Sequence, residues 1–196
     1  MRYWKSRSRV SGVPVGIAWL CFSVLFLCAS ATSASGFKVR HVKTRLADNL
    51  YLVDAEIDLA FTQAALEALE NGVALTIIIE MEIVRLREFI WNEEIALLEA
   101  QRRVRFHPLT NQYLVEDLNA GATRTFRSLG EALKALGRVR DFPLIDSYLL
   151  QGDERYTLRL RAYLAIKALP TPLQVLAYLN PVWHLSSEWY ESPLDH

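Results

Sequence analysis

The sequence predicts an α+β, mainly-β fold: an antiparallel sandwich-like or strongly curved sheet of about eight strands with three short helices. Three observations carry this reading. Apolar and polar residues alternate with period two over most of residues 37–194, the mark of half-buried strands. The spacing turns helical only in short segments flanked by capping residues. Strand-like runs mostly follow one another through short turns, which favours antiparallel hairpins.

The elements follow in chain order. "FKVRHVKTRL" is a weak strand, and Asp48-Asn49 is a turn into "NLYLVDAEIDLAF". There Tyr51, Val53, Ala55, Ile57, Leu59 and Phe61 share one face, with Asp54, Glu56 and Asp58 on the other. "TQAALEALENG" is a helix capped by Thr62 and stopped by Gly72. "VALTIIIEMEIVRLREF" and "EIALLEAQRRVRF" form a long hairpin across the break "WNEE". At about 3.3 Å per residue its strands would run ~40–55 Å. In the second, Ala96, Leu98, Ala100, Val104 and Phe106 share a face. "LTNQYLVEDLNAGATRTF" is a second hairpin turning at Asn119-Ala120-Gly121. "SLGEALKALG" is a helix with Ser128 and Glu131 as a capping box and Gly137 at its end. "FPLIDSYLLQGDERYTLRLRAYLAIK" reads as a third hairpin around Gly152-Asp153, with Arg155, Arg159 and Arg161 facing outward. "TPLQVLAYLNP" is a short helix, with Thr171 and Gln174 as a capping box and Pro172 at its first position.

The N-terminus reads as a secretory signal peptide over residues 1–31. Arg2, Lys5, Arg7 and Arg9 precede the apolar run Ile17 to Ala29, and small residues follow. Ala29-Ser30-Ala31 has cleavage-site spacing, with Ala34 as a second choice. The alternative is an uncleaved inner-membrane anchor over residues 13–31, long enough to span only if Pro14, Gly16 and flanking serines are counted. Residues 32–36 then form a short leader-proximal segment and 37–194 a single mainly-β domain.

Without the leader, the 22 Lys+Arg fall to 18 against 22 Asp+Glu, a formal charge of −4. That balance excludes an electrostatic footprint for nucleic acid. Both cysteines, Cys21 and Cys28, lie in the leader, so no disulfide staples the domain although an exported compartment would permit one. His41, His107, His184 and His196 are scattered, without metal-ligand spacing. No glycine-rich loop opens a helix after a strand. No cofactor and no metal are expected.

Two groups of residues stand out. Arg155, Arg159 and Arg161 are a candidate face for an anionic ligand, although the simpler reading pairs Arg85, Arg87, Arg103, Arg105, Arg159 and Arg161 across strands with Asp54, Glu56 and Asp58. The second group is the tail, "WHLSSEWYESPL". Its histidine, serines and glutamate suggest a hydrolase, but same-face neighbours on a strand lie about 6.6 Å apart, too far for the hydrogen bonds of a triad. Alternation puts Trp183 and Trp189 together against the body and leaves His184, Glu188 and Tyr190 outward. Trp183, His184, Trp189 and Tyr190 are therefore candidates for an interaction edge or a structural clasp.

"ALENGVALTIIIEMEIVRLREFIW", "LTNQYLVED", "SLGEALKALG" and "ALPTPLQVLAYLNPVWHLSSEWY" resemble the exported proteobacterial family known as domain of unknown function 4390. The resemblance covers about Phe37 to Leu194, and W-x-L-S-S-x-W is its most specific part. In the family a further aromatic often follows the position of Trp189-Tyr190; here Glu191-Ser192 stands instead. The resemblance implies export, an envelope setting and an unassigned role, and it transfers no catalytic residue.

The expectation is an exported, periplasmic, non-enzymatic binding or accessory module that contacts an envelope protein, with no nucleic-acid partner and a membrane contact only if the leader is retained. A carrier of a lipid-like ligand is the alternative, and a hydrolase a further one.

Overall fold

The computed structural model describes residues 36–87, 91–151 and 154–194. The leader over 1–31, the Gly152-Asp153 turn and His196 lie outside them.

The alternation of "LYLVDAEIDLA" becomes β2 (Leu50–Ala60), whose odd residues from Tyr51 to Leu59 are all buried. It follows β1 (Gly36–Ala47) through Asp48 and Asn49, both at positive φ (49° and 65°). Two left-handed residues in a two-residue loop match the twist of the hairpin strands. A bulge between Val39 and His41 shifts the face of β1, so Val42 is buried as Val39 is. The run of acids on β2 pairs with cations other than those expected. Asp58 meets Arg40, Asp54 meets Arg45 at 3.9 Å, and Glu56 meets Arg138 at 3.0 Å. Strands adjacent in this sheet, not the long hairpin, supply the partners.

Thr62 Oγ1 accepts the Ala65 amide and opens α1 (Gln63–Glu70), which buries Ala65 and Leu69. Gly72, at φ +82°, turns the chain out of it. β3 (Leu75–Arg85) and β4 (Glu93–His107) pair as the long hairpin. At about 3.3 Å per residue, β4 spans ~50 Å as expected and β3 only ~36 Å. The odd residues of β3 from Leu75 to Ile83 are fully buried in the core, and β4 and β8 pair with its two edges. β5 (Gln112–Asp117) and β6 (Ala122–Phe126) form the second hairpin, with Gly121 at φ +69° in its turn. Ser128 Oγ then accepts the Glu131 amide and caps α2 (Leu129–Leu136).

The third hairpin does not form. β7 (Arg138–Asp146) pairs antiparallel with β2, while β8 (Tyr156–Leu164) inserts between β3 and β9 (Tyr190–Pro193). The chain leaves β7 through a 3-10 turn, Ser147–Leu149, and changes sheet. The reason lies across the strands. Beside β3, Arg161 stands opposite Glu80 and Arg159 opposite Glu82, a charge match that favours this register.

The result is two antiparallel sheets, β1-β2-β7 and β6-β5-β4-β3-β8-β9. Their inward residues, among them Tyr51, Val53, Ile77, Ile79, Met81 and Leu160, join α1 and α2 side chains in one core. This is a mainly-β α+β fold, as predicted. Among the described residues, no helix is long and apolar enough to cross a membrane.

α3 (Thr171–Leu179) starts without the expected capping box. Pro170 occupies its N-cap, no side chain caps it, and Gln174 donates back to the Lys167 and Leu169 carbonyls. Its outward residues Val175, Leu176, Tyr178 and Leu179 are exposed.

Candidate functional site

Arg102 occupies a position of β4 that alternation assigns to the core, between Ala100 and Val104, and is only 8% exposed. Burying a guanidinium is costly unless its donors are met. Arg102 Nη1 donates to the Ala135 carbonyl at 3.2 Å and to the Arg138 carbonyl. Nη2 reaches Asp117 Oδ2 at 3.5 Å. The buried Nε has no hydrogen-bond partner. Ala135 lies in the last turn of α2, where the helix presents its negative pole. Arg102 therefore ties β4 of the large sheet to α2 and to β7 of the small one. Burial pushes its guanidinium below the ordinary arginine value; Asp117 opposes the shift and Arg124 adds to it.

Arg102 and Asp117 belong to the lining of a depression of about 1060 Å³ enclosed by β6, α2 and β7. Arg124 to Arg127 come from β6 and its end, Ser128, Glu131 and Lys134 from the start and face of α2, and Arg138 and Arg140 from β7. Six cations thus face two acids, Asp117 and Glu131. Arg102 is tied to Asp117 and Arg138 to Glu56. Among the described residues, Arg124, Arg127, Lys134 and Arg140 have no ion-pair partner. Elsewhere arginines are matched: Arg103 and Arg105 share Glu116, and Arg85 and Arg87 share Glu93. An acidic domain that gathers three unmatched arginines and a lysine in one cleft presents a focused positive field there.

The arginine face expected on β8 is arranged differently. Arg159 donates to Glu82 at 2.9 Å and to Glu191 at 3.1 Å. Arg161 grips both oxygens of Glu80, at 3.1 and 3.0 Å, and Glu80 is 7% exposed. The Trp189 ring covers both guanidiniums, 4.6 Å from Arg159 and 4.3 Å from Arg161. The outer side of β8 is thus a matched ionic layer under a tryptophan. Arg155 stands just before β8, where its carbonyl accepts the Leu86 amide.

The tail alternates as predicted up to Ser187, with Trp183, Leu185 and Ser187 buried and His184 and Ser186 exposed. It then changes face. Ser186 lies opposite Tyr163, but Tyr190 lies opposite Leu160. The two pairings differ by one residue, so a bulge falls between Ser187 and Tyr190, and one extra residue turns every following side chain over. Trp183 enters the core, Trp189 goes to the outer face, and Tyr190 packs inward against the core. The expectation that Trp183 and Trp189 dock together and Tyr190 points outward is corrected accordingly. Ser187 works in this bulge: its Oγ accepts the Ala162 amide at 3.0 Å and donates to the Glu188 carbonyl at 2.9 Å. The Ser186 carbonyl accepts the Phe37 amide of β1 at 3.3 Å.

The cleft went unread in the sequence, although two signals mark it. Arg102 interrupts the apolar side of β4. Residues 124–140 hold five cations against one acid, Glu131. Among the described residues, no three of His, Cys, Asp and Glu converge to hold a metal ion.

Fold and cleft together define a mainly-β α+β domain of two antiparallel sheets with a cationic depression beside one edge of the larger. The chain belongs to the family described as Domain of unknown function (DUF4390), whose model matches residues 34–193. No curated protein and no solved structure matches it.

Proposed function

We propose that the chain is an exported, non-enzymatic binding module that contacts another protein and holds an acidic segment of it in the cleft between β6, α2 and β7. The observation that carries this is the set of four unmatched cations, Arg124, Arg127, Lys134 and Arg140, gathered around the buried Arg102. Like charges repel, and an anionic partner relieves that repulsion. The basic n-region and apolar run of residues 1–31 support export and a periplasmic setting. The exposed apolar residues of α3 support an interaction role, since such patches mark contact surfaces. A lipid-like ligand would need room between the sheets, where Tyr51, Leu69, Ile77, Ile79 and Met81 are already fully buried against one another.

The test uses the full-length chain and a glutamate-rich decapeptide, with a lysine-rich decapeptide as control. The acidic peptide binds, its affinity falls as salt rises, and Arg124→Glu/Arg127→Glu abolishes binding while leaving the circular dichroism spectrum unchanged. Equal binding by the charge-reversed variant, or no binding of the acidic peptide, would sink the reading. The N-terminal mass of the protein recovered from cells decides export and cleavage: a chain beginning after Ala31 or Ala34 supports both.

A further inference from the structure

We infer that the acidic segment enters the cleft as an extended strand added to the free edge of β6, with an acid at every second residue; this rests on the acidic-partner reading above. Among the described residues, β6 ends the six-stranded sheet and pairs with β5 alone. Four of its five residues, Ala122 to Thr125, are exposed, and it contains no proline. An exposed edge without proline presents amide and carbonyl groups that template another strand.

The lining of the cleft bears on how β6 meets it. Side chains alternate between the two faces of a strand, so one face contributes only every second residue to a pocket. Here Arg124, Thr125, Phe126 and Arg127 line the same depression in unbroken sequence. Arg124 and Phe126 point to one face of the sheet, opposite Val115 and Tyr113, and Thr125 to the other. A wall formed by the edge of the strand, with its backbone, would account for residues of both faces bordering the cleft. Lys134 of α2 and Arg138 and Arg140 of β7 line the same depression.

A strand docked on β6 would sit about 4.8 Å from it and send alternate side chains, about 6.6 Å apart, to one face. Acids at that spacing would meet the cations of β6, α2 and β7 while the other side chains point away. Backbone pairing supplies affinity, and the alternation supplies specificity.

Four octapeptides of identical formal charge test this on the full-length chain, with affinities read by isothermal titration calorimetry. They are acetyl-(Thr-Glu)₄-amide, its block isomer with four threonines before four glutamates, and two versions of the alternating peptide N-methylated on all threonines or on all glutamates. In a strand, amides of successive residues point to opposite edges, so each methylated set blocks one edge. The alternating peptide should bind about tenfold or more tighter than the block isomer, the equivalent of one or two lost hydrogen bonds. One methylated set should lose at least about tenfold while the other stays within about threefold of the parent. If both methylated sets and the block isomer bind as the parent does, strand addition is overturned while the acidic-partner reading survives. If none of the four binds, both fall.

Discussion

Ser187 Oγ accepts the Ala162 amide at 3.0 Å while the Ser187 amide donates to the Ala162 carbonyl at 2.8 Å. One residue thus satisfies both backbone groups of a buried strand residue where the tail slips by one position. Ser187→Ala leaves the Ala162 amide buried without an acceptor, at a cost of about 1–3 kcal/mol. Ser186→Ala, at an exposed position that contributes only its carbonyl, should stay within about 0.5 kcal/mol of wild type. Urea denaturation of the two variants separates them; equal effects would refute the assignment of Ser187 to the bulge.

Gly137 is held by a neighbour and not by its dihedral angles. Its φ is −85°, open to any residue, but a Cβ there would stand 2.0 Å from the Ile57 carbonyl oxygen. The same approach lets the Ile57 amide donate to the Gly137 carbonyl at 2.9 Å. Gly137→Ala must push the end of α2 away from β2, at a cost on the order of 3 kcal/mol. Gly130, within α2, has nothing within 4 Å of an added Cβ. Gly130→Ala should stabilise by about 0.5–1 kcal/mol. Thermal melts of the pair, opposite in sign, check the contrast.

Arg85 and Arg87 both bond Glu93, joining the end of β3 to the start of β4. The Arg85 hydrogen bond, foremost, holds the Glu93 carboxyl below the usual carboxylate range. The folded state therefore binds its proton less readily than the unfolded state, whose pKa is about 4.3. The stability Glu93 contributes is whole above that pKa and is lost as the pH falls through the lower folded value. Glu93→Gln removes the carboxylate, so the gap in urea midpoint between wild type and variant should be widest near neutrality and close as the pH falls toward 2. A gap independent of pH would refute the clamp.

How much of this was legible follows from the range of each interaction. The buried side of β2, from Tyr51 to Leu59, depends on local alternation and reads directly. So does the start of α2 at Ser128, because the cap lies within one turn of its target. Gly137 reads as a helix end, but its reason is the carbonyl of Ile57, eighty residues away in sequence. β7 and β8 read as a hairpin because they are adjacent in sequence, whereas their partners β2 and β3 are chosen across the fold. The bulge after Ser187 exists only in the pairing with β8, so alternation alone carries Trp189 to the wrong face. Arg102 was a legible signal that went unread: a cation at an inward position needs acceptors, and those acceptors mark the cleft.

The two tryptophans of the tail should therefore differ in what they contribute. Trp183 is 5% exposed and sits in the core, so Trp183→Ala should cost about 3–5 kcal/mol. Trp189 is half-buried on the outer face, where it stacks on Arg159 and Arg161. Partly desolvated cation–π contacts contribute about 0.5–2 kcal/mol, and Trp189→Ala should cost about that much. The stacking can be isolated from simple burial by a double-mutant cycle of Trp189→Ala with Arg161→Met. Arg161 also grips Glu80, so Arg161→Met alone is destabilising, but the cycle subtracts that loss. A coupling of about 0.5–1.5 kcal/mol is expected from the contact. Zero coupling, or a cost for Trp189→Ala equal to that for Trp183→Ala, would show that Trp189 serves as ordinary core and that the face change after Ser187 is wrong.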